Sequence, residues 1–353
     1  RVVTERRMKR ASTMPASMNT NVTWSVLGVR CAVRRLPDAP SMPRWWLPVP
    51  RGSGDARESR GREPAVPLRL GRREFADGET VVMAIVNRTP DSFFDQGATF
   101  SDPAAMAAVD RAVDEGAGIV DIGGVKAGPG AEVDAAEEIR RTASFVAAVR
   151  TKHPEVVISV DTWRAEVGRV ACGEGADLLN DAWGGHDPEL AAVAGELGAG
   201  LVCTHTGGAT PRTRPHRVQY ADVVADVVAF CTAEAERAVA LGVSPESVII
   251  DPGHDFGKST RHSLEVTRRL PELVETGWPV LVSLSRKDFV GEALDIAAPG
   301  ERLTGTLATT AVSAWHGARV YRAHDVAATR QTLDMVAAIA GTRPPAVARR
   351  GLA

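Results

Sequence analysis

Polar and charged side chains follow a series of short apolar segments in this chain of 353 residues. In chain order they are Asn87, Asp121, Asp161, Asn180-Asp181, His205, Asp251, Ser285-Arg286-Lys287, and Arg322 with His324. Turn formation or helix capping explains a single Asn or Asp at such a place equally well. Capping alone does not explain eight successive segments that all end in this way, and the pattern indicates a shared polar site.

The chemistry of these residues falls into two groups. Asp161, Asn180 and Asp251 offer oxygen acceptors and an amide, and a carboxylate can accept two hydrogen bonds from a flat pair of N–H groups. Lys287 and Arg322, together with His324, are donors and cations suited to a carbonyl oxygen or to phosphates. The two groups together favour a neutral, nitrogen-rich heterocycle that carries a phosphate or a diphosphate.

Beyond Gly78, short segments rich in Val, Ile and Leu alternate with Ala-rich segments of helical period, which is typical of βα units. The predicted strands are Val81–Val86, Gly118–Ile122, Val156–Val160, Leu178–Asn180, Gly200–Thr204, Ser247–Ile250, Val280–Ser283 and Arg319–Arg322. The predicted helices include Pro103–Glu115, Ala135–Arg150, Arg164–Glu174 and Val223–Leu241. A glycine followed by Ala or Val ends five of the helical segments, where a left-handed residue would stop the helix.

Eight βα units in about 265 residues predict a closed (β/α)8 TIM barrel, an α/β fold whose active site lies at the carboxyl ends of the strands. The barrel is predicted to span residues 77–342. An open, doubly wound sheet is the alternative, but its glycine-rich phosphate turn is not found after the first strand, which continues into Asn87-Arg-Thr-Pro-Asp-Ser-Phe93. Residues 1–76, rich in Arg, Pro and Ser, are predicted to be a disordered or mis-annotated tail, and residues 343–353 a C-terminal tail.

The composition predicts a soluble, cytoplasmic protein. The formal net charge is -2, with 44% hydrophobic and 24% charged residues, so no global basic field would attract nucleic acid or a membrane. No segment approaches the roughly 20 apolar residues of a membrane span. Cys31, Cys172, Cys203 and Cys231 lack metal-site spacing and are predicted to pack as small buried hydrophobes.

Seven ordered motifs, which lie between Val81 and Ala340, resemble those of dihydropteroate synthase. They are Met83-Ala-Ile-Val-Asn-Arg-Thr-Pro-Asp-Ser-Phe93, Asp121-Ile-Gly-Gly124, Ser159-Val-Asp-Thr162, Asn180-Asp181, Asp251-Pro-Gly-His-Asp-Phe-Gly-Lys258, Ser285-Arg-Lys287 and Arg322-Ala-His-Asp325. The resemblance implies a transferase of folate biosynthesis, which condenses 6-hydroxymethyl-7,8-dihydropterin diphosphate with 4-aminobenzoate and releases pyrophosphate. It also implies a homodimer formed through the last barrel helices.

The resemblance assigns roles to particular residues. The residues that bind the pterin would be Asp121, Asp161, Asn180, Asp251 and Lys287. The diphosphate would be bound by Asn87, Arg322 and His324, with Asn87 also a ligand of Mg²⁺. Phe256 and Lys287 would border the aminobenzoate. Catalysis would rest on Asn87, Lys287, Arg322 and His324, because Mg²⁺ and the donors neutralise the departing diphosphate. No protein nucleophile is needed, so Ser285 is predicted to be structural.

Three departures from the family pattern fall near the second substrate and the diphosphate. Gly123-Gly-Val-Lys126-Ala127-Gly128-Pro-Gly130 stands where the family usually reads Gly-Gly-Glu-Ser-Thr-Arg-Pro-Gly, so a hydroxyl and a guanidinium are missing. Asp288 replaces a usual Ser and is expected to repel the aminobenzoate carboxylate. Arg88 replaces a small apolar residue and is expected to add a cation beside the diphosphate.

These departures resemble the divergent second-copy branch of the family and leave two main function hypotheses. The first is a working dihydropteroate synthase, or a close variant that uses a different amine. The second is a catalytically impaired pterin-binding paralogue with a binding or regulatory role. A pterin-binding methyltransferase domain is a third class, which would need a corrinoid-binding partner or domain.

Overall fold

The computed structural model describes residues 67–89, 99, 101–213 and 218–350. An antiparallel hairpin precedes eight parallel strands. The strands are β1 (Leu68–Leu70), β2 (Arg73–Phe75), β3 (Val81–Asn87), β4 (Ile119–Gly123), β5 (Val157–Asp161), β6 (Leu178–Asp181), β7 (Gly200–Thr204), β8 (Val248–Asp251), β9 (Leu281–Ser283) and β10 (Val320–Ala323). Each of the eight strands predicted from the sequence is confirmed to within two residues.

The eight parallel strands form one sheet that closes on itself. The order of neighbouring strands is β8-β7-β6-β5-β4-β3-β10-β9. The two end strands meet at a parallel bridge between Ile250 and Val280, and the Ile250 N–H donates to the Pro279 carbonyl at 3.0 Å. The predicted TIM barrel is therefore confirmed, and the open sheet is excluded.

Helices surround the barrel and alternate with its strands. They are α1 (Asp102–Asp114), α2 (Ala135–Lys152), α3 (Ala165–Gly173), α4 (Leu190–Leu197), α5 (Val223–Ala240), α6 (Thr260–Arg268), α7 (Leu270–Val274), α8 (Asp288–Leu294), α9 (Leu303–Trp315) and α10 (Val326–Ala340). The predicted glycine stops are confirmed: Gly116, Gly175, Gly198, Gly242 and Gly317 all have positive φ. Because glycine lacks a Cβ, it adopts this conformation without a steric penalty.

The barrel interior has an apolar floor. Alternate strand residues point inward, and those near the amino ends form one buried cluster that includes Met83, Ile119 and Ile249. Leu68, Leu70 and Phe75 of the hairpin belong to the same cluster and are at most 1% exposed. The β1–β2 hairpin therefore covers the amino end of the barrel and leaves the polar carboxyl end as the place for a site.

The hairpin corrects the predicted domain boundary. Residues 68–75 fall within the predicted N-terminal tail, yet they contribute three core side chains, so the folded domain starts before residue 77. The rest of the predicted tail, residues 1–66, lies outside the described residues. At the other end, residues 343–350 are exposed and contain no helix or strand, as a tail would, and residues 351–353 are not described.

The described cysteines pack as the sequence predicts. Cys203 and Cys231 are buried, Cys172 is half-buried, and all three are free thiols. Burial raises the pKa of the Cys172 thiol to about 11. Cys31 lies outside the described residues. The described helices include none whose length and hydropathy would allow it to span a membrane.

Candidate functional site

A network of buried ionic hydrogen bonds joins four strands at the carboxyl end of the barrel. Arg322 on β10 donates from Nε to Oδ2 of Asp121 at 2.6 Å and from Nη2 to Oδ2 of Asp161 at 2.9 Å. The Asn180 amide also donates to Oδ2 of Asp121, at 3.2 Å. Asp161 and Asn180 are register partners on β5 and β6. The structure thus joins three of the predicted pterin residues and one of the predicted diphosphate residues in one hydrogen-bonded network.

Ser159 also belongs to this network, although no role is predicted for it from the sequence. Its hydroxyl donates to Oδ1 of Asp121 at 2.6 Å, so both oxygens of this fully buried carboxylate have partners. Ser159 lies two residues before Asp161, and the period of two along a strand places both on the inner face. That spacing is the signal that could have identified it.

Asp251 enters the same region from β8. Its Oδ1 accepts the Gly253 N–H at 2.7 Å, within a turn where Gly253 has a φ of 64°. A Cβ at Gly253 would lie 2.0 Å from the His205 carbonyl oxygen, so only glycine fits. Burial raises the pKa of Asp251, while the positive charges of Lys287, Lys258 and Arg322 oppose that rise.

Lys287 and Phe256 lie together in the loops above the strands. The Lys287 amine donates to the His254 carbonyl at 2.5 Å and lies 4.7 Å from the centre of the Phe256 ring. Burial lowers the pKa of Lys287, and the carboxylates of Asp251 and Asp255 counteract that effect. An ammonium over an aromatic face is a favourable contact that also fixes the ring.

Two tryptophans extend the aromatic wall beside Phe256. Trp183 packs edge-on against Phe256 with 5.0 Å between ring centres, and Trp163 packs against Trp183 at 6.5 Å. Each follows a strand end by two residues, at β5 and β6.

His324 is held by Ser285. Nδ1 of His324 lies 2.9 Å from the Ser285 hydroxyl, which also accepts the His324 backbone N–H at 3.2 Å. Burial, with the nearby charge of Arg322, lowers the pKa of His324 to about 3. At neutral pH the imidazole is therefore uncharged in this structure, and it can still donate a hydrogen bond.

Asn87 ends β3 beside this network. It is the register partner of Gly123, which in turn is the register partner of Asp161 on the next strand. Its side-chain oxygen would lie 3.8 Å from a Cβ built on Gly123, and Oδ2 of Asp161 would lie 4.0 Å from the same point. All the predicted site residues therefore lie at one end of the barrel.

Arg88 does not lie beside the diphosphate part of the site, contrary to the prediction from the sequence. Its side chain is buried and donates to the carbonyls of Thr99 at 3.3 Å and Arg141 at 3.2 Å. Its guanidinium also bonds to Asp102 and lies 4.7 Å from the centre of the Phe145 ring on α2. The prediction of an extra cation beside the diphosphate is therefore wrong, because Arg88 ties the end of β3 to the helix layer.

Asp288 forms an ion pair that the sequence did not indicate. Arg302 donates to its Oδ1 at 2.9 Å and also donates to the Arg286 carbonyl at 3.0 Å. Because Arg302 is itself buried, its charge compensates the Asp288 carboxylate directly. The expected repulsion of an aminobenzoate carboxylate is therefore weaker than an unpaired Asp288 would give.

The loop after β4, which departs from the family pattern, is held by hydrogen bonds from another loop. Arg212, in the loop between β7 and α5, donates to the carbonyls of Gly128 at 3.3 Å and Ala131 at 2.7 Å. Ala127 is exposed and Gly128 half-buried. The loop thus lies close to another loop, while its own side chains at positions 127 and 128 offer neither a hydroxyl nor a guanidinium.

Comparisons with known proteins decide the family. The model for pterin binding enzymes matches residues 83–324, which include every predicted site residue. The chain belongs to the dihydropteroate synthase family. It is 60% identical over 287 residues to a Mycobacterium leprae protein named inactive dihydropteroate synthase 2, covering 80% of this chain and 98% of that protein.

Other members of the family are more distant. The dihydropteroate synthase of Synechocystis sp. is 41% identical over 276 residues, which cover 77% of this chain and 95% of that enzyme. The solved structure of Xanthomonas albilineans dihydropteroate synthase with 4-aminobenzoic acid superposes with a TM-score of 0.71 at 36% identity, covering 80% of this chain and all of that one. The family of this chain therefore includes proteins named dihydropteroate synthase and a relative named inactive.

The ionisation of Asp161 can be tested through the pH dependence of the free energy of unfolding. Burial raises the pKa of Asp161 to about 7, a rise that Arg322 opposes and Asp121 reinforces. Folding then becomes less favourable as the pH rises from about 4, near the unfolded value, to about 7, because the folded state holds a proton that the unfolded state has released. Asp161→Asn removes this titration, so its free energy of unfolding should increase relative to the parent across that window and level off above it.

Urea unfolding at several pH values measures this difference. Asp114→Asn, at an exposed position near the end of α1, is the control and should show no such slope. A difference between Asp161→Asn and the parent that stays constant with pH would contradict the raised pKa.

Proposed function

We propose that this chain is a dihydropteroate synthase-like transferase that binds 6-hydroxymethyl-7,8-dihydropterin diphosphate at the carboxyl end of its barrel. The observation that carries the proposal is the convergence of Asp121, Asp161 and Asn180 with Arg322 in one hydrogen-bonded network. A flat ring with adjacent N–H groups and a carbonyl finds there both acceptors and donors. The second substrate would be an arylamine, with 4-aminobenzoate as the first choice.

Each group of residues would serve one part of the ligands. Asp161, Asn180 and Asp251, with Asp121 behind them, would accept and donate hydrogen bonds to the pterin edge. Lys287 would bind the pterin and, with Phe256, border the arylamine. Arg322 has donors left for the diphosphate, because its Nη1 makes no hydrogen bond within the described part of the chain. His324 would add a neutral N–H donor.

Mg²⁺ would accompany the diphosphate in this site. Among the described residues, no three His, Cys, Asp or Glu side chains form a group that could hold a metal ion. Mg²⁺ commonly takes one or two protein oxygens and fills its shell with phosphate oxygens and water. The Asn87 side-chain oxygen would supply one such ligand. When bound, the ion would neutralise charge on the departing pyrophosphate.

The chemistry requires no nucleophile from the protein. As the bond between the pterin methylene and the diphosphate oxygen breaks, Arg322 and His324 would stabilise the developing negative charge on the leaving oxygen. The positive charge left on the methylene is shared with the ring, near the carboxylates of Asp161 and Asp251. The arylamine nitrogen then forms the new C–N bond and loses a proton.

A catalytically impaired paralogue that binds pterin is the second candidate. Two observations favour it. The Mycobacterium leprae relative that is 60% identical carries the word inactive in its name. The loop after β4 has Ala127 and Gly128 in place of the usual Thr and Arg. Loss of one positioned charge donor costs about 10²–10³ in rate, so the altered loop could slow turnover without weakening pterin binding.

A turnover assay separates the two candidates. The purified full chain, given pterin diphosphate, Mg²⁺ and 4-aminobenzoate, should release pyrophosphate if it is a working transferase, and a chelator should stop the release. Calorimetric binding of pterin diphosphate without turnover would reject the transferase and retain the paralogue. Asp161→Ala should abolish pterin binding in either case, because half of the paired acceptor set is lost. Asp114→Ala is the matched control.

Restoring the family side chains in the loop after β4 tests the cause of weak turnover. Ala127→Thr with Gly128→Arg should raise the rate of pyrophosphate release by about 10²-fold, because both substitutions return donors to the second substrate and the leaving group. The rate is measured at saturating pterin diphosphate. An additional Asp288→Ser change should add less than the loop substitutions, since Arg302 already compensates Asp288. No gain from the loop variant would reject this explanation.

The predicted homodimer is also part of this proposal. Val312 and Trp315 on α9 are 45% and 61% exposed, and Met335 and Ile339 on α10 are 60% and 62% exposed. Large apolar side chains on two adjoining helices are typical of a surface that another protein covers. Trp315→Glu with Met335→Glu should halve the mass found by light scattering. A monomeric mass for the parent protein at micromolar concentration would contradict the dimer.

A further inference from the structure

Lys258 is a buried cation that the proposed reaction does not use. Its side chain is 8% exposed, and its amine donates to Nδ1 of His205 at 2.6 Å, to the His205 carbonyl at 3.2 Å and to the Phe256 carbonyl at 3.2 Å. A lysine ammonium has three N–H donors, so all of them are occupied. Within the described residues no carboxylate accepts a hydrogen bond from Lys258. It is therefore placed to act through its charge and not as a contact of the ligand.

His205 and Asp226 hold this amine in place. Because Nδ1 of His205 accepts from Lys258, the ring hydrogen lies on Nε2, which donates to Oδ1 of Asp226 at 2.7 Å. Burial, together with the charge of Lys258, lowers the pKa of His205 to about 4, so the ring is neutral at neutral pH. Asp226 lies on α5 with its side chain 53% exposed. A hydrogen-bonded chain thus runs from the surface to Lys258.

The chain of hydrogen bonds also reaches the backbone of Asp251. The His205 N–H donates to the Asp251 carbonyl at 2.9 Å, and the Cys231 thiol on α5 lies 3.6 Å from the same oxygen. Lys258 belongs to the loop that begins at Asp251. The groups that face Asp251 are therefore Lys258 and the Gly253 N–H from its own loop, Lys287 from the loop after β9, Arg322 from β10 and Cys231 from α5.

These neighbours divide into two kinds. In the proposed function Lys287 and Arg322 bind the ligand, so their donors and much of their charge are directed to it. Lys258 has no donor left for a ligand, and its charge remains for Asp251. A carboxylate buried this deeply needs a nearby positive charge to stay ionised.

We propose that Lys258, held by His205 and Asp226, is a positioning residue that keeps Asp251 ionised for the nitrogen-rich edge of the pterin. The inference rests on the proposed pterin binding and names a further residue of that site. Burial lowers the pKa of Lys258 to about 7, so its support of Asp251 should be present below neutral pH and fade above it.

The test compares pterin affinity at two pH values. Calorimetry with 6-hydroxymethyl-7,8-dihydropterin diphosphate is run on the full-length parent and on Lys258→Met. At about pH 6 the variant should bind about tenfold more weakly, because loss of the cation raises the pKa of Asp251 and disfavours its ionised form. At about pH 8 the difference should shrink to about threefold or less, because Lys258 has lost its proton in the parent and no longer supplies the charge that the variant lacks.

The pH dependence distinguishes a charge effect from a structural one. A loss of the same size at both pH values, or no loss at either, would overturn the inference while leaving the proposed function standing. A parent protein that binds no pterin at either pH would overturn the proposed function, and with it this inference.

A surface variant provides a second measurement if Lys258→Met does not fold. Asp226→Ala removes the outer acceptor at an exposed helical position, and the loss of this carboxylate lowers the pKa of Lys258 further. It should weaken pterin binding at about pH 6 in the same direction by a smaller factor, roughly threefold, and change it less at about pH 8. Glu236→Ala, at an exposed position on the same helix, is the matched control and should change neither value. Equal behaviour of the two variants would overturn the inference.

Discussion

The double ion pair of Arg322 with Asp121 and Asp161 is the interaction on which the carboxyl end of the barrel depends. Charges that leave water lose a large hydration energy, and the structure tolerates them only when they are paired and hydrogen-bonded. Arg322 spans from β10 to β4 and β5, and Asn180 continues the network to β6. The polar end of the barrel is therefore set by electrostatics, while its floor is set by apolar packing.

The sequence could predict the strands because local patterns determine them. A buried parallel strand needs a short apolar segment, and a preceding helix that stops at glycine marks where the segment begins. It could also predict that Asp121, Asp161, Asn180 and Asp251 meet, since the carboxyl ends of parallel strands lie on one side of a barrel. The β1–β2 hairpin could not be predicted, because each strand has only three residues and lies in an arginine-rich segment whose burial depends on packing against the barrel.

The features that the sequence could not predict concern the direction of a side chain, or its contact with a residue that is distant in the sequence. Arg88 follows Asn87 directly, and successive side chains point to opposite faces, so one can border the site while the other enters the helix layer. Asp288 obtains its charge partner from Arg302, fourteen positions later, across α8. The His324 ring is neutral in this structure, because burial and the charge of Arg322 both lower its pKa. None of these outcomes can be read from spacing.

The β1–β2 hairpin, which covers the amino end of the barrel, also limits where translation of a complete barrel can start. Met8, Met14, Met18 and Met42 all precede Leu68, so a polypeptide initiated at any of them keeps Leu68, Leu70 and Phe75. The next methionine, Met83, lies inside β3. Initiation there would remove the hairpin and the start of the first barrel strand together, so the shortest message that encodes a complete barrel has its start codon upstream of Leu68.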